Sequence, residues 1–253
     1  MSEVIATKDY DNKVLILQMT GKTNSFTKSF LTTLELWLDH AVLDKQFHSV
    51  IITGSGNIFS VGGDLNQMKE EVDKGDPEGY VRKIVPIINR IIKKIIEHPI
   101  PIIAAINGSA AGGGLSLALS CDRVIAVPEA KFAFAFGALN LTPDSGSTIF
   151  FNRRFGYSRS LFNILTAKVI SAKEAYNLNA IDELSDPSNL INDAIKYSIS
   201  LKLINRDVIG QTKRLLNSGI ISIIDQQLRE EYDSIRKASG STDFSDQLNK
   251  LIY

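Results

Sequence analysis

Apolar and polar positions alternate in short runs near the start of the chain and fall into helical periods towards its end. Two β-like runs, Val4–Thr7 and Val14–Met19, flank a turn at Asp11-Asn12. A helical stretch from about Thr27 to Leu43 leads to Ser49–Thr53 (SVIIT), a short apolar strand stopped by Gly54. Within 80–97, Ile84, Ile88, Ile91 and Ile95 recur at helical spacing, with Arg90, Lys93 and Lys94 among the polar positions. That spacing predicts an amphipathic helix, ended by Pro99 and Pro101. Ile102–Ile106 and Val124–Val127 read as buried strands, and Lys131–Phe134 as a further one. This alternation of strand and helix predicts a mainly parallel sheet with helices outside it.

The character changes after Asp144. Ser171 and Glu174 have the spacing of a capping box, and 189–203, 205–217 and 221–237 are helically periodic. There is no internal repeat and no linker-like stretch. The natural division is an α/β core over residues 1–190 and a helical C-terminal segment over 191–253.

Composition narrows the classes. The 253 residues carry 28 Lys+Arg against 28 Asp+Glu, and zero net charge argues against nucleic acid or an anionic membrane as the main partner. One cysteine excludes a disulfide scaffold and a Cys-based zinc site, and no His or Cys pair has metal-ligand spacing. The start, MSEVIATKDYDNK, is charged where a signal peptide needs an apolar stretch, and no apolar run reaches membrane-spanning length. The terminal Leu251-Ile252-Tyr253 is neither a peroxisomal nor an ER-retention signal. The expectation is a soluble cytoplasmic protein.

Two glycine clusters are the candidate chemistry. Phe59-Ser60-Val61-Gly62-Gly63-Asp64-Leu65 follows the strand at 49–53, and Asn107-Gly108-Ser109-Ala110-Ala111-Gly112-Gly113-Gly114-Leu115 follows the strand at 102–106. Each lies between a strand and an expected helix, where backbone amides can approach a ligand and a helix N-terminus favours negative charge. The spacing from Gly108 to Gly114 is not the dinucleotide fingerprint. Gly21-Lys22-Thr23 lacks the upstream glycine of a P-loop, since Ile16 stands there. Two readings stay open: tight turns and helix–strand packing, or one amide from each cluster binding a developing oxyanion.

The run FSVGGDL, then HPIPIIAAINGSAAGGGLSLALSCD, then EAKFAFAFGALNLTPDSGST resembles the crotonase, or enoyl-CoA hydratase/isomerase, superfamily over about residues 4–240. The resemblance implies a spiral of ββα units, acyl-CoA thioesters as substrates with no further cofactor, and a homotrimer or dimer of trimers assembled through the C-terminal helices. It assigns the oxyanion amides to Gly63 and Gly113 and the CoA entry segment to Lys22, Asn24, Ser25 and Phe26. Ser60, Gly62, Asp64, Leu65, Phe136 and Leu139 are the other implied substrate contacts. Lys22 reads equally well as a solvated turn residue. The family's basic, aromatic tail is shortened here, leaving Lys250 and Tyr253 as weak candidates for its role. With no net positive charge, phosphate binding has to rest on a few local cations and backbone amides.

The departures concern carboxylates. The two glutamates of the family's hydratases fall on Ser116 and Phe136, and neither residue can activate water. One carboxylate remains, Asp144, at the position where double-bond isomerases of the family often carry their single base. Pro143-Asp144-Ser145-Gly146 is also a turn sequence, and from the residues alone Asp144 reads as the cap of a helix at 147–155, a role compatible with that of a base. The family's aryl-CoA dehalogenases need a Trp and a His where this chain has Phe136 and Asn89. His98 reads as a complement to a helix C-terminus, and Cys121 as a small buried hydrophobe. The leading expectation is a 3-enoyl-CoA to 2-enoyl-CoA isomerase. The alternatives are isomerisation of a ring-type acyl-CoA, a hydratase of unusual site, or a non-catalytic acyl-CoA-binding protein.

Overall fold

The computed structural model describes residues 3–252, so Tyr253 lies outside the described residues. Strands β1 (Glu3–Asp9) and β2 (Val14–Thr20) pair antiparallel. The Asp9 carboxylate accepts from the Asn12 amide at 2.9 Å, an Asx turn that closes the hairpin. After β3 (Ser25–Phe26), the Thr27 hydroxyl accepts from the Phe30 amide and starts α1 (Lys28–Leu43).

A strand–strand–helix unit then winds three times. The first turn is β4 (Ser49–Thr53), β5 (Ile58–Ser60) and β6 (Gly62–Gly63), followed by α2 (Leu65–Asp73) and α3 (Gly79–Glu97). The second is β7 (Ile102–Ile106), β8 (Ser109–Ala111) and α4 (Gly113–Ser120). The third is β9 (Arg123–Ala126) and β10 (Lys131–Ala133), a 3₁₀ turn at Gly137–Leu139, then α5 (Ser147–Phe155) and α6 (Tyr157–Leu165). The chain closes with β11 (Val169–Ser171), α7 (Ala172–Asn177), β12 (Glu183–Leu184), α8 (Leu190–Ser200), α9 (Arg206–Leu216), α10 (Ser218–Ser239) and α11 (Thr242–Ile252).

Each turn adds one strand to each of two sheets. The first sheet runs β1-β2-β4-β7-β9-β12, parallel from β2 onward, and the second runs β11-β10-β8-β5. The mainly parallel sheet matches the pattern read from the sequence. Of the second layer only β10 was read there, as the strand at Lys131–Phe134, because strands of two or three residues carry too few positions to show a period. So β5, β6 and β8 read as parts of glycine loops. Every residue of β4 and β7 is buried, as expected of parallel strands covered on both faces. Ser171 caps α7 by accepting from the Glu174 amide at 3.0 Å.

The C-terminal helices fold back on the same chain. α8 packs on β4, β7 and β9, α10 on α3, and α11 on α2 and the 3₁₀ turn.

His98 corrects the sequence reading. It is 3% exposed, with Nε2 3.1 Å from the Leu38 carbonyl oxygen and Nδ1 3.3 Å from the Ile100 amide. Nδ1 also lies 3.1 Å from the Ile100 carbonyl oxygen, so both ring nitrogens are within hydrogen-bond distance of backbone groups. Burial pushes its pKa down to about 4, so it carries no charge for a helix terminus to attract.

Because the unfolded chain binds this proton more readily, stability falls as pH drops from about 6.5 towards 4, by on the order of 3 kcal/mol. Denaturant unfolding at pH 7 and pH 4.5 is expected to show a smaller acid loss in His98→Gln than in the unsubstituted protein. An equal loss in both would contradict this account.

Candidate active site

Where the second sheet meets α2, α3 and α4, a cavity of about 550 Å³ opens, and α10 and α11 close its far side. Its apolar wall comes from the face of α3 that carries Val81, Ile84, Val85 and Ile88, with Met68 of α2 and Ile235 of α10. Among the described residues, no three His, Cys, Asp or Glu side chains converge to hold a metal ion.

The two glycine clusters meet at its edge. Gly62 has φ +76°, and a Cβ there would lie 2.8 Å from the amide nitrogens of both Gly113 and Gly114. A side chain would therefore push β6 off the N-terminus of α4. Gly113 is the first residue of α4, so no turn of its own helix engages its amide. Gly63, next along β6, and Gly113 both line the cavity.

A buried scaffold holds this edge. Ser60 is fully buried; its hydroxyl donates to the Asn24 carbonyl at 2.8 Å and accepts from the Gly62 amide at 3.1 Å. The Asp64 carboxylate caps α2 by accepting from the Gln67 amide, and accepts from the Ser25 hydroxyl at 2.7 Å. Tyr80 ties the same region to α3: its hydroxyl donates to the Phe26 carbonyl at 2.7 Å and accepts from the Asp64 amide at 2.8 Å. Burial pushes the Tyr80 phenol far above its ordinary range.

Of the expected site residues, Gly63, Gly113, Ser25, Phe26, Asp64, Leu65, Phe136, Leu139 and Asp144 surround one cavity. Ser60 and Gly62 lie behind it as support. Lys22 is not brought to this cavity: it is exposed and lines a separate recess with Asn107 and Lys131. The chain turns between Lys22 and Ser25 at Asn24, which has φ +49° and whose side-chain amide donates to the Ile58 and Phe59 carbonyls. Lys250 is exposed on α11.

Asp144 is 8% exposed and faces the cavity. It does not cap the following helix. The cap of α5 is Gly146, with φ +75°, and the Asp144 carboxylate instead accepts from the Ser145 hydroxyl at 3.0 Å. Burial, then the nearby Glu231 charge, raise its pKa to about 7, against the opposing Ser145 hydrogen bond. Ser116 is sealed off. Its hydroxyl bonds to that of Ser147 and, at 3.3 Å, to the Gly112 carbonyl.

Tyr80 and Glu231 are absent from the sequence-level candidates. Tyr80 had a signal, a polar tip on an otherwise aliphatic helix face. Glu231 had none, since nothing local links it to residue 144.

A model of the family described as enoyl-CoA hydratase/isomerase matches residues 10–247. The chain is 31% identical over 239 residues to the 1,2-epoxyphenylacetyl-CoA isomerase of Escherichia coli strain K12, covering 94% of this chain and 90% of that protein. It is 28% identical over 255 residues to the short-chain-enoyl-CoA hydratase of Clostridium acetobutylicum, covering 100% and 95%. An enoyl-CoA hydratase structure from Bacillus halodurans is similar with a TM-score of 0.90 at 26% identity, covering 98% of this chain and 100% of that one.

The close approach at Gly62 predicts its own test. Gly62→Ala combines a left-handed φ with two backbone contacts, and is expected to cost about 2 kcal/mol. The urea unfolding midpoint should drop at unchanged slope; an unshifted midpoint would contradict the tight approach.

Proposed function

The chain belongs to the enoyl-CoA hydratase/isomerase family, and on that premise we propose that it moves a carbon–carbon double bond in an acyl-CoA thioester, from 3-enoyl to 2-enoyl. The observation that carries the reading is a single buried carboxylate in the cavity wall that is not occupied with capping. Asp64, the other carboxylate there, is held by the Gln67 amide and the Ser25 hydroxyl. The positions matching the hydratase glutamates hold a sealed Ser116 and an apolar Phe136.

In this reading the thioester oxygen accepts hydrogen bonds from the Gly63 and Gly113 amides, where negative charge develops as the proton leaves C2. The Asp144 carboxylate takes that proton. The electron pair spreads from C2 over the thioester carbonyl and the 3,4 double bond, giving a dienolate. Asp144, now a carboxylic acid, returns the proton to C4, and the double bond settles between C2 and C3. No water is consumed and the base is regenerated. Its burial serves both halves, because a group titrating near 7 can accept the proton and release it again.

A second reading is supported by the 31% identity to the E. coli epoxide isomerase: a ring-type acyl-CoA as the substrate of the same base. A panel of 3-enoyl-, 2-enoyl- and epoxy-ring acyl-CoA thioesters separates the readings. Hydration of 2-enoyl-CoA would indicate a hydratase, and binding without conversion of any would indicate a non-catalytic protein.

Asp144→Asn is expected to abolish 3-enoyl-CoA conversion, and full activity in that variant would overturn the assignment. In the unsubstituted enzyme, kcat/KM should fall with unit slope as pH drops below about 7 and level off above it. Stability should move the opposite way. The fold holds the Asp144 proton more tightly than the unfolded chain does, so its ionisation weighs against folding increasingly from the ordinary carboxylate range up to about pH 7. Asp144→Asn is therefore expected to melt several degrees higher at pH 8, each ~1 kcal/mol being worth roughly 2–4 °C in a chain of this size.

A further inference from the structure

We propose that Glu231, on α10, is a positioning residue for Asp144: it pins the turn that carries the carboxylate and holds a second negative charge behind it. The inference rests on the proposed role of Asp144 as the base.

The start of α5 explains the need. Its cap, Gly146, offers no side chain, and the amides of Gly146 and Thr148 have no local acceptor. Glu231 supplies one from a helix 85 residues away in sequence. Its Oε2 accepts from the Gly146 amide at 2.7 Å, and its Oε1 accepts from the Thr148 amide at 2.9 Å and from the Thr148 hydroxyl. One turn earlier on α10, the Gln227 side-chain amide donates to the same hydroxyl at 2.9 Å. Between the two anchored residues, the Ser147 amide and hydroxyl both donate to the Asp144 carbonyl, at 2.9 and 2.5 Å. The clamp thus reaches Asp144 through one residue.

That clamp is needed because the turn is strained. Ser145 has φ +56° and Gly146 φ +75°, two left-handed residues in succession, and a non-glycine residue stays there only when its surroundings enforce it. Glu231 is 4% exposed, and the partial positive charge at the N-terminus of α5 favours an anion there.

The charge that bears on Asp144 is that of Glu231 from α10, while the pKa of Tyr80 from α3 is itself raised by burial and further by the Asp144 charge. Tyr80 stays un-ionised because it is buried, and it stands against Asp64 at the start of α2. Gly113 of α4 and Ser145 bring no charge. Glu231 is therefore the charged side chain that opposes ionisation of Asp144.

Two variants separate anchoring from charge. Glu231→Gln keeps the length and one acceptor oxygen but removes the charge, whereas Glu231→Asp keeps the charge and shortens the reach. Both are assayed on a 3-enoyl-CoA thioester from about pH 5 to 9, beside Asp144→Asn, with near-ultraviolet circular dichroism to confirm the fold. Glu231→Gln is expected to lower kcat about tenfold with KM within about twofold, and to move the midpoint of the pH profile towards acid by roughly half a unit or more. Glu231→Asp is expected to lose kcat similarly while keeping the midpoint. A helix cap with no bearing on the base would leave the midpoint unmoved.

If Asp144→Asn is inactive but both Glu231 variants keep the original kcat and midpoint, this proposal is overturned and the isomerase reading stands. If Asp144→Asn is fully active, both fall. Should Glu231→Gln fail to fold, Glu231→Asp carries the test, and an unchanged kcat there overturns the proposal.

Discussion

The contact on which the site depends is the approach of β6 to the N-terminus of α4. Gly62 lies so close to the Gly113 and Gly114 amide nitrogens that no side chain fits between them. This contact joins two turns of the spiral, one built on β4 and β5 and the other on β7 and β8. It brings Gly63 and Gly113, 50 residues apart in the chain, to the edge of one cavity. Ser60, Asn24 and Tyr80 serve it from behind by satisfying backbone groups that would otherwise be buried without partners.

Around that contact the site is arranged to keep charge scarce. The cavity wall is mostly aliphatic, Tyr80 is un-ionised, and Asp64 has both carboxylate oxygens engaged. Asp144 stands in this setting with a neighbouring buried carboxylate rather than a cation. Two buried acids near each other weaken the fold: burial raises the proton affinity of both, and the Glu231 charge raises that of Asp144 further. Such a cost is commonly retained where a carboxylate has to exchange a proton near neutral pH. His98, buried as a neutral ring in the core, shows the reverse case, where burial makes a basic group give up its proton.

Much of the fold was legible residue by residue. Ser49–Thr53 and Ile102–Ile106 are strands over those same residues, and the helix expected at 80–97 runs from Gly79 to Glu97. Apolar spacing marks such elements because each buries a whole face. Of the second sheet only β10 was legible, as the strand expected at Lys131–Phe134; β5 and β8, and the short β6 that pairs with β3, carry too few positions to show a period and are rich in small residues. The placement of Lys22 was not legible either. Its neighbours Ser25 and Phe26 reach the cavity, but a left-handed Asn24 turns Lys22 away, and backbone direction is not encoded in residue spacing. Asp144 was ambiguous for a related reason, because a turn sequence before a helix describes a cap, a role compatible with that of a catalytic carboxylate. The cap turned out to be Gly146, served from α10.

From the amino-acid order alone came the strand–helix alternation, the two glycine clusters, the missing hydratase glutamates and the surviving Asp144. The first two depend on residue type and short-range spacing, and the last two on the resemblance to the family's pattern. Only the tertiary structure decided which of those residues share a cavity, that Asp144 is buried beside Glu231, and that the last two helices close the pocket of their own chain. Those are meetings between residues tens of positions apart, produced by winding one spiral turn on the next. No local pattern records them, because the energy that selects them comes from packing across the spiral and from the removal of water at its centre.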